Sequence, residues 1–336
     1  MCEALALERV AACDLCDGRD FDPVVSTRDL GERVVAGDFH VVRCRDCRLA
    51  MLNPRPRPDA IAQAYPCDYR FYNDVAVRPL AWWQKVAGRC PGARVSWVVD
   101  LLVRLRQQVS FHRVPRFHGD GFMLDVGCGS GGFLDTMKQL GWKTFGVDLS
   151  AGALAVAARK GHDVRDADAE NLPFDDGQFD LVHLSHVLEH TYSPRKALEG
   201  IARVLKPGGL LVLAVPNFGG FQARAFGRCW SALDLPRHLY QFDARTLRRY
   251  LEAAGFTVQE MATRTGATSF AKTLRLAANQ WFGTNWRRDP DALVAPFEVL
   301  AFLSTMVGNF GVGRDLRAVC QKSADAQKSA DAQKSG

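Results

Sequence analysis

The stretch Met123-Leu-Asp-Val-Gly-Cys-Gly-Ser-Gly-Gly-Phe133 decides the fold. A short apolar run that suits a buried strand ends in a cluster of glycines just where a helical pattern begins. Bare backbone at a strand-to-helix turn lets a nucleotide-like ligand come close to a helix N-terminus. Gly127-x-Gly129-x-x-Gly132 also satisfies the dinucleotide fingerprint, a pattern that does not identify a cofactor by itself. About 20 residues on, Lys143-Thr-Phe-Gly-Val-Asp148 reads as a second parallel strand ending in a carboxylate that can accept from ribose hydroxyls. Together the two segments predict an adenosine site and leave its cofactor open.

The choice comes further along: Asp168-Ala-Glu-Asn-Leu-Pro-Phe174, Gln178-Phe-Asp-Leu-Val-His-Leu-Ser185, Val187-Leu-Glu-His190, Arg203-Val-Leu-Lys-Pro-Gly-Gly209 and Leu210 to Asn217. In order and spacing these segments, over roughly half of the chain, resemble the class I S-adenosylmethionine-dependent methyltransferases, within the bacterial small-molecule branch of ubiquinone and sugar methyltransferases. Trp230-x-x-Leu-Asp-Leu-Pro-Arg-His-Leu-Tyr-Gln-Phe242 is similar to a segment found in members with an amino-terminal zinc module. The resemblance implies an α/β fold: a doubly wound, mostly parallel seven-stranded sheet of Rossmann-like type, with a small zinc-ribbon-like module before it and a helical insertion late in the chain. It also implies S-adenosylmethionine as cofactor, with Asp125 and the loop of Gly127, Gly129 and Gly131 at the methionine end, and Asp148 and Leu149 at the ribose and beside it. Asp168 and the Ala169 amide would read the adenine edge, with Asp166 as the alternative acid, and Ser185 would close the site. The simpler reading of Asp168 is an acid that caps its own loop.

The 336 residues, 47% of them hydrophobic, suffice for one large domain and a smaller one. No apolar run reaches the ~20 residues of a membrane span. The start, Met1-Cys-Glu-Ala-Leu-Ala-Leu-Glu-Arg9, has acids where a signal peptide needs a basic region, so a cytoplasmic protein is expected. Of the ten cysteines, Cys13-x-x-Cys16 and Cys44-x-x-Cys47 form two knuckles around a strand pattern at Phe39–Arg43. Clustered pairs in a cytosolic-looking chain point to metal rather than disulfides. Four thiolates close a tetrahedral zinc shell and leave no position for a reactant, so the expected zinc is structural.

The zinc-ribbon-like module is expected over 1–75, closing with Asn53-Pro-Arg-Pro-Arg-Pro58 and followed by Tyr65, Tyr69 and Tyr72 as packing residues. A basic linker, 76–118, holds eight Lys or Arg against Asp100 between Arg78 and His118 and predicts an amphipathic helix from Trp97 to Val109. Trp82 and Trp83 beside Lys85 keep a peripheral membrane contact open. The methyltransferase core is expected over 119–265, with Ser193-Pro194 and Asp243 starting helices. An insertion or lid follows over 266–313, then a last core strand over 314–321 returning antiparallel to the sheet edge, and a disordered tail over 322–336 built on a Gln-Lys-Ser-Ala-Asp-Ala repeat.

Methyl transfer from a sulfonium is an in-line displacement that needs positioning and a proton acceptor. His238 is the first candidate base, with Arg237 and Tyr240 orienting a polar or anionic acceptor. His186, at the end of the fourth strand, is the second, and His190 would share its face if a helix starts there. The expected acceptor is a small molecule, methylated on oxygen, with carbon or nitrogen as alternatives. Three other readings stand beside it: an RNA methyltransferase gripping nucleic acid with the ribbon and basic linker, an NAD-dependent oxidoreductase using the same glycines, and a non-catalytic binding protein that keeps the fold. Neither the acceptor nor the oligomeric state follows from these residues.

Overall fold

A computed structural model describes residues 5–66, 118–264, 267–284 and 313–323, together with Lys85, Pro115 and Trp286. Tyr69, Tyr72, Trp82, Trp83, the helix expected from Trp97 to Val109, most of the insertion and the repeat tail after Ser323 lie outside these residues.

The main sheet has seven strands in the order β12-β13-β10-β9-β6-β7-β8. These are β6 (Phe122–Val126), β7 (Lys143–Asp148), β8 (Asp163–Asp166), β9 (Phe179–Ser185), β10 (Leu205–Pro216), β12 (Phe256–Arg264) and β13 (Asp315–Lys322). The pairs among β6 to β10 are parallel, whereas β13 runs antiparallel to both β10 and β12. The last strand therefore enters the sheet between β10 and β12 and does not form its edge, which corrects the expectation from sequence. Strand order reverses at β6, so the carboxyl ends of β6 and β9 flank the crevice where open α/β sheets bind ligands. Both strands are almost entirely buried, as parallel strands covered by helices on two faces must be.

Helices α1 (Gly132–Gln139), α2 (Ala151–Arg159), α3 (Pro194–Val204), α4 (Phe221–Phe226) and α5 (Ala244–Ala253) complete the layers. Their starts follow the sequence. Ser193 Oγ accepts from the Lys196 amide with Pro194 in the first turn, and Asp243 forms a capping box with Thr246. Helix α6 (Ala267–Trp281) is the described part of the insertion; Thr273 Oγ1 donates to Ser231 Oγ at 2.9 Å.

The amino-terminal residues build a separate sheet, but not alone. Its order is β11-β4-β3-β2, from β2 (Phe21–Thr27), β3 (Phe39–Cys44), β4 (Ala50–Leu52) and the distant β11 (Tyr240–Gln241). Two short strands, β1 (Leu7–Glu8) and β5 (Arg55–Pro56), pair beside it. The Pro236–Tyr240 region thus supplies an edge strand to the ribbon, Tyr240 facing Met51 and Gln241 facing Ala50. One hydrophobic core runs through both parts, joining Phe39, Val41, Met51 and Leu52 to Trp230, Leu235, Phe242 and Leu247. Among the described residues, no helix is long and apolar enough to cross a membrane.

Candidate active site and metal centre

Gly127, Gly129 and Gly131 all take left-handed backbone angles (φ 75°, 52° and 81°). At Gly127 a side chain would in addition run into Val187. Gly127→Ala is therefore expected to cost about 1–3 kcal/mol of stability, measured by thermal or urea unfolding; an unchanged midpoint would mean that the turn tolerates a Cβ. Asp148 holds the loop from the next strand: its Oδ2 accepts from the Gly129 amide at 2.8 Å and its Oδ1 from the Ser150 amide at 2.9 Å. Burial raises the Asp148 carboxyl above its ordinary value, against the pull of those amides. Leu149 next to it is 70% exposed, an open apolar surface at the mouth of the crevice. Lys160 Nζ donates to Ser130 O at 3.0 Å, and His162 Nε2 lies 2.8 Å from Asp135 Oδ1, fastening the other flank of the loop.

Asp125 is buried and faces its register partner His183 across β9, with His183 Nδ1 at 2.7 Å from its Oδ1. The His183 ring in turn packs on Phe133, centroids 4.1 Å apart. Asp168 caps its own turn, accepting from the Glu170 amide at 2.8 Å and from Asn171 Nδ2, while Ala169 is buried behind it. Asp166 ends β8 in register with Asp148 and is exposed. Leu172 and Phe174 are core residues, and Arg203 binds the carbonyls of both.

At the carboxyl end of β9, Ser185 is half-buried and His186 adopts a left-handed backbone (φ 55°). A single 3-10 turn, Leu188–His190, follows, so His186 and His190 do not share a helical face as expected. They engage different partners: His186 Nδ1 is 3.2 Å from Glu189 Oε1, and His190 Nδ1 is 3.0 Å from Arg237 O. Glu189 is fully buried, and its Oε2 has no hydrogen-bond partner among the described residues. Burial opposes the Glu189 charge, but the bond from His186 and the nearby imidazoles outweigh it and bring its carboxyl down to about 2.

His238 joins this cluster from the far side. Its Nδ1 donates to Ala232 O at 2.8 Å, its Nε2 is 4.0 Å from Glu189 Oε1, and burial lowers its pKa to about 4. Such a ring is neutral near pH 7 but resists taking up a proton, which weakens it as a general base.

Arg237 and Tyr240 do not reach the crevice, against expectation. The Arg237 side chain is 0% exposed, clamped by Asp29 at 2.7 Å, Asp234 at 2.9 Å and the Ala64 carbonyl. Tyr240 is buried in β11, where its hydroxyl donates to Tyr192 O. Both join the ribbon to the core. Tyr240 also lines a cleft of about 360 Å³ between the first knuckle and α3, with Asp14, Arg55, Tyr192 and Arg195. Asp14 spans that cleft, accepting from Ser193 Oγ, the Arg195 amide and the Tyr250 hydroxyl.

The four knuckle cysteines converge. Their sulfurs all lie within 4.8 Å of one another, with Cys13 to Cys47 at 3.4 Å and Cys16 to Cys44 at 3.6 Å. Four sulfurs about 2.3 Å from a tetrahedral ion stand about 3.8 Å apart, so the donor set fits zinc. The two turns repeat one backbone pattern. Asp17 N donates to Cys13 O and Arg48 N to Cys44 O, and the left-handed residues Asp17 and Arg48 (φ 62° and 71°) close each knuckle. Burial pushes the Cys47 thiol up to about 11 and the Cys13 thiol higher still.

Sequence reasoning missed Glu189, His183, Asp14 and Asp29. A polar residue inside an apolar run was the available signal for His183 and Glu189; nothing local marks the other two.

Residues 102–261 match the family model of a methyltransferase domain. Over 105 residues the chain is 39% identical to a demethylmenaquinone methyltransferase of Renibacterium salmoninarum, covering 30% of this chain and 44% of that one. It is 29% identical over 170 residues to a ubiquinone biosynthesis O-methyltransferase of Albidiferax ferrireducens, covering 46% and 60%. With a malonyl-[acyl-carrier protein] O-methyltransferase of Enterobacter lignolyticus it shares 34% over 126 residues, covering 37% and 49%. The chain thus spans about half the length of the curated relatives it matches. The matched region starts after the ribbon.

Proposed function

We propose that this chain, whose residues 102–261 match the family model of a methyltransferase domain, is a class I S-adenosylmethionine-dependent enzyme that moves a methyl group from that sulfonium donor to a small-molecule acceptor, with oxygen as the favoured atom. The observation that carries the reading is the glycine turn at the carboxyl end of β6, backed by Asp148 and Leu149, inside the region that matches the methyltransferase model. Gly127, Gly129 and Gly131 leave room for the methionine part, and the start of α1 offers amides to its carboxylate. Asp148 would exchange the Gly129 amide for ribose hydroxyls. Leu149 would gain an adenine ring as cover, and Asp168 with the Ala169 amide would meet the adenine edge. Asp125, held by His183, and Ser185 complete the floor.

We assign the base to His186 in place of His238. Glu189 accepts from Nδ1 of His186, which leaves the lone pair of the neutral ring on Nε2 and lets the carboxylate stabilise the imidazolium formed on proton uptake. His186→Ala is expected to lower turnover ~10²-fold, read as S-adenosylhomocysteine release, while donor binding by isothermal titration stays within twofold. A variant of wild-type turnover would remove His186 from the mechanism. Titration of the wild-type protein with S-adenosylmethionine and with NAD tests the domain assignment itself, since binding of NAD alone would restore the oxidoreductase reading.

Cys13, Cys16, Cys44 and Cys47 would hold a structural zinc ion. The ion supplies a cross-link that ties the two knuckles together; the protein supplies the docking surface through Asp14 and β11. The similarity to a demethylmenaquinone and a ubiquinone biosynthesis methyltransferase supports a small-molecule acceptor over RNA. A gel shift with RNA that weakens with salt would favour the nucleic-acid reading instead.

A further inference from the structure

We propose that Glu189, His190 and His238 form a second metal site, built for one divalent transition-metal ion and distinct from the four-cysteine cluster. One ligand atom from each of the three residues lies within 4.8 Å of the others. The state of each donor follows from its partners. A carbonyl can only accept, so the N–H on His190 Nδ1 points to Arg237 O at 3.0 Å, with the Tyr65 hydroxyl beside it at 3.2 Å as a second acceptor, and His238 Nδ1 donates to Ala232 O at 2.8 Å. Each neutral ring therefore carries its lone pair on Nε2. The rings stand nearly perpendicular, 80° apart, with centroids 4.7 Å from each other.

Glu189 supplies the third donor. Its Oε1 lies 4.0 Å from His238 Nε2 and 3.2 Å from His186 Nδ1, whereas its Oε2 is buried and has no hydrogen-bond partner among the described residues. A buried carboxylate oxygen left without a donor is costly, and a cation is the group that removes that cost. Two imidazoles whose far nitrogens are fixed by backbone carbonyls, and a carboxylate whose second oxygen is held by another side chain, reproduce the outer-shell bracing of metal ligands. Two histidines and one carboxylate with positions left open suit Fe(II), Mn(II), Co(II) or Zn(II). Bonds of about 2.0–2.2 Å require the three donors to draw together from their present spacing. The site differs in kind from the cysteine cluster, which offers only sulfur and no open position. It requires no assumption about methyl transfer.

Co(II) is the probe that separates the two sites. Full-length protein is first loaded with one zinc per chain and then titrated with Co(II), followed by absorption and by metal analysis after desalting. The expected result is one additional ion per chain, with weak visible d–d bands and no near-ultraviolet thiolate charge-transfer band. Glu189→Gln and His190→Gln are each expected to weaken that binding at least ~10-fold, while zinc content stays at one per chain and circular dichroism is unchanged. His190 is only half-buried, so its variant keeps the test usable if Glu189→Gln does not fold. Folded wild-type protein that takes up no second ion would overturn the proposal. So would uptake giving only thiolate charge transfer, or uptake undiminished in both variants.

Discussion

Replacing Cys44 with serine, or treating the protein with a strong chelator to remove the zinc proposed for the four cysteines, is expected to unfold the ribbon and to lower the stability of the whole chain. A small sheet of three short strands and the borrowed β11 has little core of its own, and metal binding by four thiolates is worth on the order of 10 kcal/mol of folding energy. That figure is comparable with the entire stability of an ordinary domain, about 5–15 kcal/mol. The loss would not stay local, because Asp14 lies between two of the cysteines and receives hydrogen bonds from Ser193, Arg195 and Tyr250. The measurement is zinc stoichiometry by atomic emission beside limited proteolysis and thermal unfolding. Early cleavage within residues 5–66 and a lower transition are expected for Cys44→Ser. A variant that lacks zinc and yet unfolds like the wild type would show that the cysteines are not the staple.

The second large effect is expected at Asp29. It forms, with Asp234, the counter-charge of Arg237, and the side chains of Arg237 and Asp29 are both 0% exposed. Burial opposes the guanidinium charge, but the two carboxylates overcome it and push the Arg237 pKa above its already high ordinary value. Removing one partner of a buried pair strands the other charge and costs about 3–5 kcal/mol. Asp29→Ala should fall at the lower end of that range, since Asp234 remains. The double variant Asp29→Ala with Arg237→Met should recover part of the loss, because it removes the guanidinium and leaves only Asp234, 14% exposed and 3.9 Å from His238 Nε2, without its main partner. Urea unfolding of the two variants and the wild type decides the matter. Equal losses in the single and double variants would mean that packing, rather than charge, holds this junction.

These two sites also show what could be read from the chain and what could not. The glycine turn, Asp148, the helix starts at Ser193 and Asp243 and the paired knuckles all depend on residues close in sequence, and all appear where the pattern puts them. The partners of Arg237 and Tyr240 lie far away in the chain. Their segment has a histidine, an arginine and a tyrosine in a row, which suggests chemistry, but a two-residue strand that completes a distant sheet has no periodicity to betray it. The place of β13 was hidden for a similar reason: strand patterning gives the length and the buried faces, not the neighbour. His183 and Glu189 were hidden by their surroundings, being polar residues in segments read for their apolar content. That His238 is buried with its Nδ1 bonded to the Ala232 carbonyl is likewise a feature of the folded segment that residue types do not announce.

Leu239 makes the union of the two parts unusually direct. Its amide donates to the carbonyl of Glu189, and its own carbonyl accepts from the amide of Leu52. A single residue is therefore a splice between the ribbon and the turn that presents the histidines. Any displacement of the front sheet would be passed to Glu189 through main-chain bonds, without the slack that side chains allow. The ribbon is in this sense part of the frame that holds Glu189 and the neighbouring histidines in place.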